Sequence, residues 1–335
     1  MSTTHTRKTG AGRRPAFDLF EGYAVSSILA SFEMSGLLDG FEADGLGPEL
    51  TGDRPPDAAA LLRASLRYLA QRGIATEENG TFTLTAYGRE VVADKGYLVW
   101  LVGGYGSSLR RVDGFLTGGQ RYGVDHVRDG KWVAGGAALL GGKDVVPVAM
   151  ELLGEIEFGR VLDLGCGNAR LLAAICRRFG AGGVGIDNSP EACADARKLV
   201  EEAKLGGRIV ITEADAGALG EIDAVAGTDL VVTFFLLHEI LASGVDVLLD
   251  YLKQLAATLP AGAYVLTAEV EPAAPAPSGP ELFTPEFTYV HALMRQILLP
   301  EGGWVQLFEQ AGFTVRAVRR NDMPGGILLL AQTAG

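Results

Sequence analysis

From Arg160 onward, apolar runs of strand length alternate with stretches of helical length, and this alternation constrains the fold more than any other feature. "RVLDL", "GVGID", "RIVITEA", "DLVVTFFLL" and "AYVLTAEV" read as strands. Residues 169–179, 191–203, 245–259 and 285–298 read as helices, and "TVRAVRR" and "GILLLAQ" finish the pattern as strands. Strands separated by helices cannot pair as hairpins. They pair in parallel, with the helices returning over the two faces of one sheet. At 335 residues the chain is too long for one small core, so a second, smaller domain is expected beside this α/β domain.

"VLDLGCGNARLL" (residues 161–172) is the sharpest local signal. A strand ends at Asp163–Leu164; Gly165 and Gly167 then let the backbone turn tightly and approach a ligand, and a helix begins at once with its N-terminus toward that ligand. A dinucleotide fingerprint wants a third glycine where Arg170 stands. The next strand ends in Asp187, followed by Asn188, and a carboxylate there suits both hydroxyls of a ribose. A third strand leads into Asp215–Ala216, where an adenine amino group could be read. Glycine turns are common in α/β folds, and one G-x-G alone would also suit a nicotinamide site. "DLGCGN", "GID" and "EADA" together resemble the S-adenosylmethionine (SAM) site of class I methyltransferases. The resemblance implies a Rossmann-like core over residues 151–335, with Asp163, Gly165, Gly167, Asp187, Asn188, Asp215, Ala216 and Phe234 around the cofactor.

Before this core, residues 1–15 read as a disordered tail and residues 16–150 as a mainly helical domain. Phe17, Phe20, Tyr23, Ala24, Ile28 and Leu29 recur at helical spacing. A helix through Leu61, Leu62, Leu66 and Leu69 stops near Gly73, and "IAT", a turn at "EENG" and alternating "TFTLT" follow. Helix plus hairpin outlines a winged helix, the shape of a DNA-binding module or of a dimerisation wing. A net charge of −12 and a pI of about 4.9 favour the wing and disfavour nucleic acid and anionic membrane as partners. Residues 91–150 read as helices with glycine-rich turns, rich in aromatics. The whole layout, with "LRYLAQRGIATEENGTFTLTAYGREV" and "GGWVQLFEQAGF", resembles the small-molecule O-methyltransferases. That resemblance implies a homodimer built by the N-terminal domain.

"VVTFFLLHEIL" runs a buried strand into His238 and Glu239, at the sheet edge where ligands of open α/β folds bind. A loop histidine beside a solvated glutamate is the commoner meaning of such a pair. In "TPEFTYVHALMRQILLP", however, His291 shares a helix face with Phe287, Met294 and Leu298. The chain has four histidines, and His5 lies in the tail while His126 reads as structural or exposed. Two histidines and a carboxylate on one pocket make a facial metal triad with open positions. The pattern resembles the 2-oxo acid C3-methyltransferases of bacterial peptide-antibiotic pathways, with glutamate at 239 where aspartate is expected. The resemblance implies His238, Glu239 and His291 as ligands of one metal, iron or zinc, and methyl transfer from SAM to C3 of a small 2-oxo acid. A branched acid such as 4-methyl-2-oxopentanoate, or phenylpyruvate, would become the precursor of a β-methyl amino acid. Arg128 could pair with the substrate carboxylate, although a surface arginine beside the D-G turn is at least as plain a reading. Trp100, Tyr105, Phe234 and Met294 could wall the pocket.

Two alternatives stay open. One is a metal-free O-methyltransferase with His238 as general base and Glu239 as its orienter; the other is a ligand-sensing regulator that has kept the SAM fold. Three cysteines, Cys166, Cys176 and Cys193, form no disulfide framework and no zinc-ribbon pattern, which suits a reducing cytoplasm. No run of about twenty apolar residues suits a membrane span.

Overall fold

A computed structural model of the chain describes residues 14–52, 54–276 and 279–334. Residues 1–13 of the expected tail lie outside the described residues, as do Pro277 and Ser278 of the proline-rich loop, and a helix already starts at Pro15. The chain divides into two compact units, residues 1–140 and 141–335.

The first unit is helical with one hairpin. Its core gathers Leu29, Phe32, Leu38, Phe41, Leu62, Leu66, Leu69, Phe82 and Val92. Leu62, Leu66 and Leu69 line the buried face of the Pro56–Gln71 helix, at the spacing that puts one side chain per turn on a stripe. Strands β1 (Ala75–Glu78) and β2 (Thr81–Leu84) follow, paired antiparallel with Glu78 opposite Thr81. The turn between them is Asn79–Gly80, both at positive φ (53° and 82°). Two left-handed residues match the twist of paired strands, so the loop closes in two residues. Thr85 then caps the helix Ala86–Ala93 by accepting from Gly88 N. Further on, Val99–Tyr105 winds as a π-helix.

The second unit is the expected α/β sheet. β3 (Arg160–Leu164), β4 (Gly182–Asp187), β5 (Ile209–Glu213), β6 (Leu230–Phe234) and β7 (Tyr264–Val270) are parallel. β8 (Phe313–Arg320) and β9 (Gly326–Thr333) form an antiparallel pair, and β9 also pairs antiparallel with β7. The order across the sheet is β5-β4-β3-β6-β7-β9-β8. The order reverses at β3, where the chain steps from β5 across to β6. Leu162, Leu164, Val231 and Val265 carry one face into a core completed by Leu248, Leu252, Leu255, Trp304 and Phe308 from helices. Strands buried on both faces explain the unbroken apolar runs of the sequence.

Two boundaries differ from the sequence reading. The strand expected to run to Leu237 ends at Phe234, and Phe235 turns the chain with φ 58°. His238 and Glu239 therefore stand on a short helix, Leu237–Leu241, and not on the strand end itself. Its first amides find a side-chain acceptor, described below, so the ladder need not continue. The helix expected over residues 285–298 runs from Thr284 to Leu293. Arg295 adopts φ 61°, and Gln296 N donates back to His291 O at 2.9 Å, which closes the helix with a left-handed cap. Leu298 consequently falls outside it.

Candidate active site

The glycine loop forms as its sequence requires. Gly165 (φ 77°) and Gly167 (φ 52°) are left-handed, and Gly165 N and Cys166 N both donate to Ile186 O at 2.9 Å, tying the loop to β4. The Arg170–Phe179 helix starts three residues later. Asp187 braces the same loop: one carboxylate oxygen accepts from Gly167 N and the other from Ser189 N, each at 2.9 Å. A carboxylate offers about four lone-pair directions, so these two bonds leave acceptor capacity for a diol. Asn188 beside it is exposed. Asp215 turns on itself by accepting from Gly217 N at 2.8 Å, and buried Ala216 gives its carbonyl to the hydroxyl of Tyr251 at 3.0 Å. Leu236 packs about the glycine turn, 3.7 Å from where a Gly165 side chain would begin.

Asp163 lies beneath this loop, 3% exposed, and its Oδ2 is buried without a hydrogen-bond partner. Burial, helped by the charge of Asp187, pushes its pKa from 3.8 up to about 7. A carboxyl whose folded pKa is raised favours folding fully below the unfolded value. That contribution is lost as pH rises through about 7, at about 1.4 kcal/mol per pH unit across the window. Asp163→Asn is therefore expected to lose less stability than the parent between pH 5 and pH 8, in denaturant titrations at each pH. Parallel pH profiles for the two proteins would show that Asp163 is ionised throughout.

A second cluster surrounds His238. Its Nδ1 lies 2.7 Å from Oε2 of Glu269, a residue of β7 that is 2% exposed. The other oxygen of Glu269 accepts from the backbone N–H of Leu237 (3.1 Å) and of His238 (3.4 Å). One carboxylate thus caps the short helix and fixes its histidine. Because a carboxylate only accepts, Nδ1 carries the proton, and in the neutral ring the lone pair falls on Nε2.

His291 is fixed the same way by a different group. Its Nδ1 lies 2.6 Å from the carbonyl of Phe287, one turn earlier, so its lone pair also falls on Nε2. The Phe287 ring stacks on His291 at 3.9 Å and meets His238 at 6.1 Å. The two imidazoles stand 5.1 Å apart, nearly perpendicular. Glu239 Oε1 lies 3.8 Å from His238 Nε2, and Glu239 Oε2 accepts from the side-chain amide of Gln296. Met294 caps the helix that carries His291.

In the first unit, Trp100, Tyr105 and Arg128 come together. The Trp100 and Tyr105 rings are 4.7 Å apart, both residues are buried, and Arg128 Nη1 meets the Tyr105 hydroxyl at 3.3 Å. His126 is half-buried between the hydroxyls of Ser107 and Ser108, and burial, aided by Arg111 and Arg110, lowers its pKa. The three cysteines are free and buried. Burial raises all three thiols, with Cys176 pushed up to about 11, and leaves them protonated and unreactive.

Sequence reasoning missed Glu269, Gln296 and Tyr251. Glu269 had a signal, since it is the lone carboxylate in the apolar run "AYVLTAEV" on the strand after His238. Gln296 and Tyr251 had none.

Comparison with known proteins agrees with this geometry. A methyltransferase-domain family model matches residues 161–260. The fold is shared with an O-methyltransferase family protein from Burkholderia thailandensis (TM-score 0.65, 20% identity, covering 96% of this chain and 99% of that one). It is also shared with CalO1, a methyltransferase of calicheamicin biosynthesis in its S-adenosylhomocysteine-bound form (TM-score 0.58, 19% identity, 95% and 98% covered). The chain thus carries a methyltransferase domain on a class I, O-methyltransferase-like fold and is a SAM-dependent methyltransferase. In sequence it is similar to the indolepyruvate C-methyltransferase of Streptomyces griseus, 27% identical over 316 residues that cover 92% of each chain.

Proposed function

We propose that this enzyme transfers the SAM methyl group to C3 of an apolar 2-oxo acid, with a metal ion held by His238, Glu239 and His291. The observation that carries the reading is the pair of imidazoles 5.1 Å apart, each with Nδ1 given to an oxygen acceptor. That arrangement presents Nε2 of both rings as donor atoms, and protein metal ligands of this type are held in this way. The donor set fits: two neutral imidazole nitrogens with a neighbouring carboxylate suit non-haem iron or zinc with positions left for substrate. The acidic trio Glu33, Asp39 and Glu42 is a poorer candidate, because the Lys95 ammonium lies 3.0 Å from Glu33 and 2.7 Å from Glu42.

A metal bound there would supply Lewis acidity to the carboxylate and keto oxygens of the substrate, which makes the neighbouring C3–H acidic. Glu269 and Phe287 keep the two histidines in the required tautomer. Asp187 and the glycine loop hold the ribose side of the cofactor. Within the first unit, Arg128, steadied by Tyr105, is proposed as a partner suited to a carboxylate and Trp100 as an apolar wall. Met294 and Phe234 are proposed to line the substrate pocket of the second unit. The C3 proton passes to a water molecule, the electron pair of the broken C3–H bond attacks the methyl carbon, and S-adenosylhomocysteine departs with the electron pair of the broken S–CH3 bond. The likeness to the indolepyruvate C-methyltransferase of Streptomyces griseus supports carbon as acceptor and an aromatic 2-oxo acid as substrate.

One observation favours a second reading. The His238–Glu269 pair also has the form of a general base with its orienting carboxylate, the arrangement needed for metal-free O-methylation. Elemental analysis together with the position of the new methyl separates the two. Metal in the protein and a methyl on C3 of phenylpyruvate or 4-methyl-2-oxopentanoate support the first; a methyl on oxygen at full rate in chelator supports the second.

Asp187→Ala is expected to weaken SAM at least tenfold in calorimetric titration, about 1.4 kcal/mol, since ribose and loop contacts go together. Unchanged affinity would remove Asp187 from the site.

The protein is also proposed to work as a homodimer. Phe17, Leu19, Phe20 and Tyr23 of the Pro15–Met34 helix are 49–76% exposed, a cost that a partner copy would relieve. Light scattering should give twice the 35.2 kDa chain mass, and a Phe20→Glu/Tyr23→Glu pair should halve it. A monomer at micromolar concentration would end this proposal. No single helix among the described residues is long and apolar enough to cross a membrane. A cytoplasmic location is proposed from the free cysteines.

A further inference from the structure

We infer that Gln296 is a positioning residue that sets the carboxylate of Glu239, and so couples the His238 turn to the end of the helix bearing His291. The inference rests on the proposed metal reading for its consequence, but its geometry stands without it. Gln296 is the residue at which two elements are tied together. Its backbone N–H closes the Thr284–Leu293 helix on the carbonyl of His291 at 2.9 Å, and its side-chain amide donates to Glu239 Oε2. The left-handed Arg295 just before it turns the chain so that both bonds can form.

The amide can face only one way. A carboxylate accepts and cannot donate, so Nε2 must point to Glu239 and Oε1 must point away. That Oε1 is buried and has no hydrogen-bond partner. An orphaned buried acceptor is costly to keep, and a methionine of similar length would avoid the cost. Glutamine is retained at a net penalty unless its donor end matters, and the donor end touches Glu239 alone. With Oε2 held by Gln296, Oε1 of Glu239 is the oxygen turned toward His238 Nε2, 3.8 Å away. The amide therefore selects which oxygen of Glu239 faces His238.

This separation of roles makes the side chain testable apart from the helix cap, which uses only the backbone of residue 296. Gln296→Met keeps length and loses the donor, and Gln296→Glu keeps shape and sets an acceptor against an acceptor. Three readouts are needed on the full-length enzyme. The first is the rate at which a chelator removes iron or zinc from the purified protein. The second is a double-mutant cycle of Gln296→Met with Glu239→Ala on kcat/KM. The third is SAM affinity with the melting temperature as a folding control.

Metal retention and kcat/KM should each fall about 10–100-fold in both Gln296 variants, as for partners of a metal ligand elsewhere. SAM affinity should stay within twofold. The effect of Gln296→Met on kcat/KM should vanish once Glu239 is alanine, because the residue acts only through that carboxylate. Should the wild-type enzyme prove metal-free, the proposed function fails, yet the cycle still decides Gln296, since Glu239 Oε1 would still stand beside Nε2 of His238. Additive effects in the cycle, or activity that falls only as far as the melting temperature does, would overturn the inference and leave Gln296 a packing residue.

Discussion

His291→Ala is expected to lose bound metal and methyl transfer together while SAM affinity stays within twofold. The loss in kcat/KM should be about a thousandfold or more, because a bound Lewis acid supplies several kcal/mol of transition-state stabilisation. The cofactor loop is built from β3, β4 and their turns, and no bond described for it involves the Thr284–Leu293 helix. His291 is 1% exposed and stacks on Phe287, so alanine also opens a cavity. His291→Gln separates the two effects, since it fills most of the volume while offering a poor ligand. Metal-free O-methylation predicts the opposite: both variants would keep substantial activity, in chelator as well as out of it. A metal-free native protein working at full rate would reduce His291 to a core histidine bonded to its own helix.

Glu269→Gln should be nearly as damaging, although Glu269 is not proposed to touch substrate or cofactor. Two backbone donors, Leu237 N and His238 N, converge on Oε1, so the glutamine carbonyl must stay there. Its NH2 then faces His238 Nδ1, where the carboxylate had accepted. Donor facing donor is resolved by moving the imidazole proton to Nε2, which removes the lone pair the reaction uses. A fall of about 10²–10⁴-fold in kcat/KM follows, the range between losing a ligand's partner and fixing a catalytic histidine in the wrong tautomer. Glu269→Ala would instead strand three buried donors and cost about 3–5 kcal/mol of stability. Wild-type kcat/KM in Glu269→Gln would mean that His238 works through neither tautomer, and both readings of the site would need replacing.

What could be read in the sequence was local. The Gly165–Gly167 turn, Asp187 at the end of β4 and the Asn79–Gly80 hairpin each depend on residues within one short window. Their chemistry follows from backbone sterics, which a sequence displays directly. His238 and His291 drew notice as a histidine at a strand exit and one on an apolar helix face, and their rings stand 5.1 Å apart. The places where the reading failed are places where a distant residue decides. β6 stops at Phe234 because Glu269, thirty-one residues on from His238, offers an acceptor to the amides after the bend. The Thr284–Leu293 helix ends with no glycine to mark it; a left-handed arginine does the work, and proline appears only at position 300. Neither event has a signature in its own neighbourhood.

The placement of β9 bears on synthesis. It is the last of the described strands, yet it sits inside the sheet, between β7 and β8, with Ile327 opposite Glu269. While a ribosome is still adding residues before Gly326, β7 has an open edge and β8 has no strand to pair with. The carboxylate that fixes His238 is then on the margin of an unfinished sheet. The five parallel strands can assemble as the chain emerges, but the edge of β7 beside Glu269 is covered only once β9 has followed. A nascent chain paused before β9 would therefore be able to form the cofactor half while exposing an aggregation-prone edge, and it would be a natural client for chaperones that shield such edges.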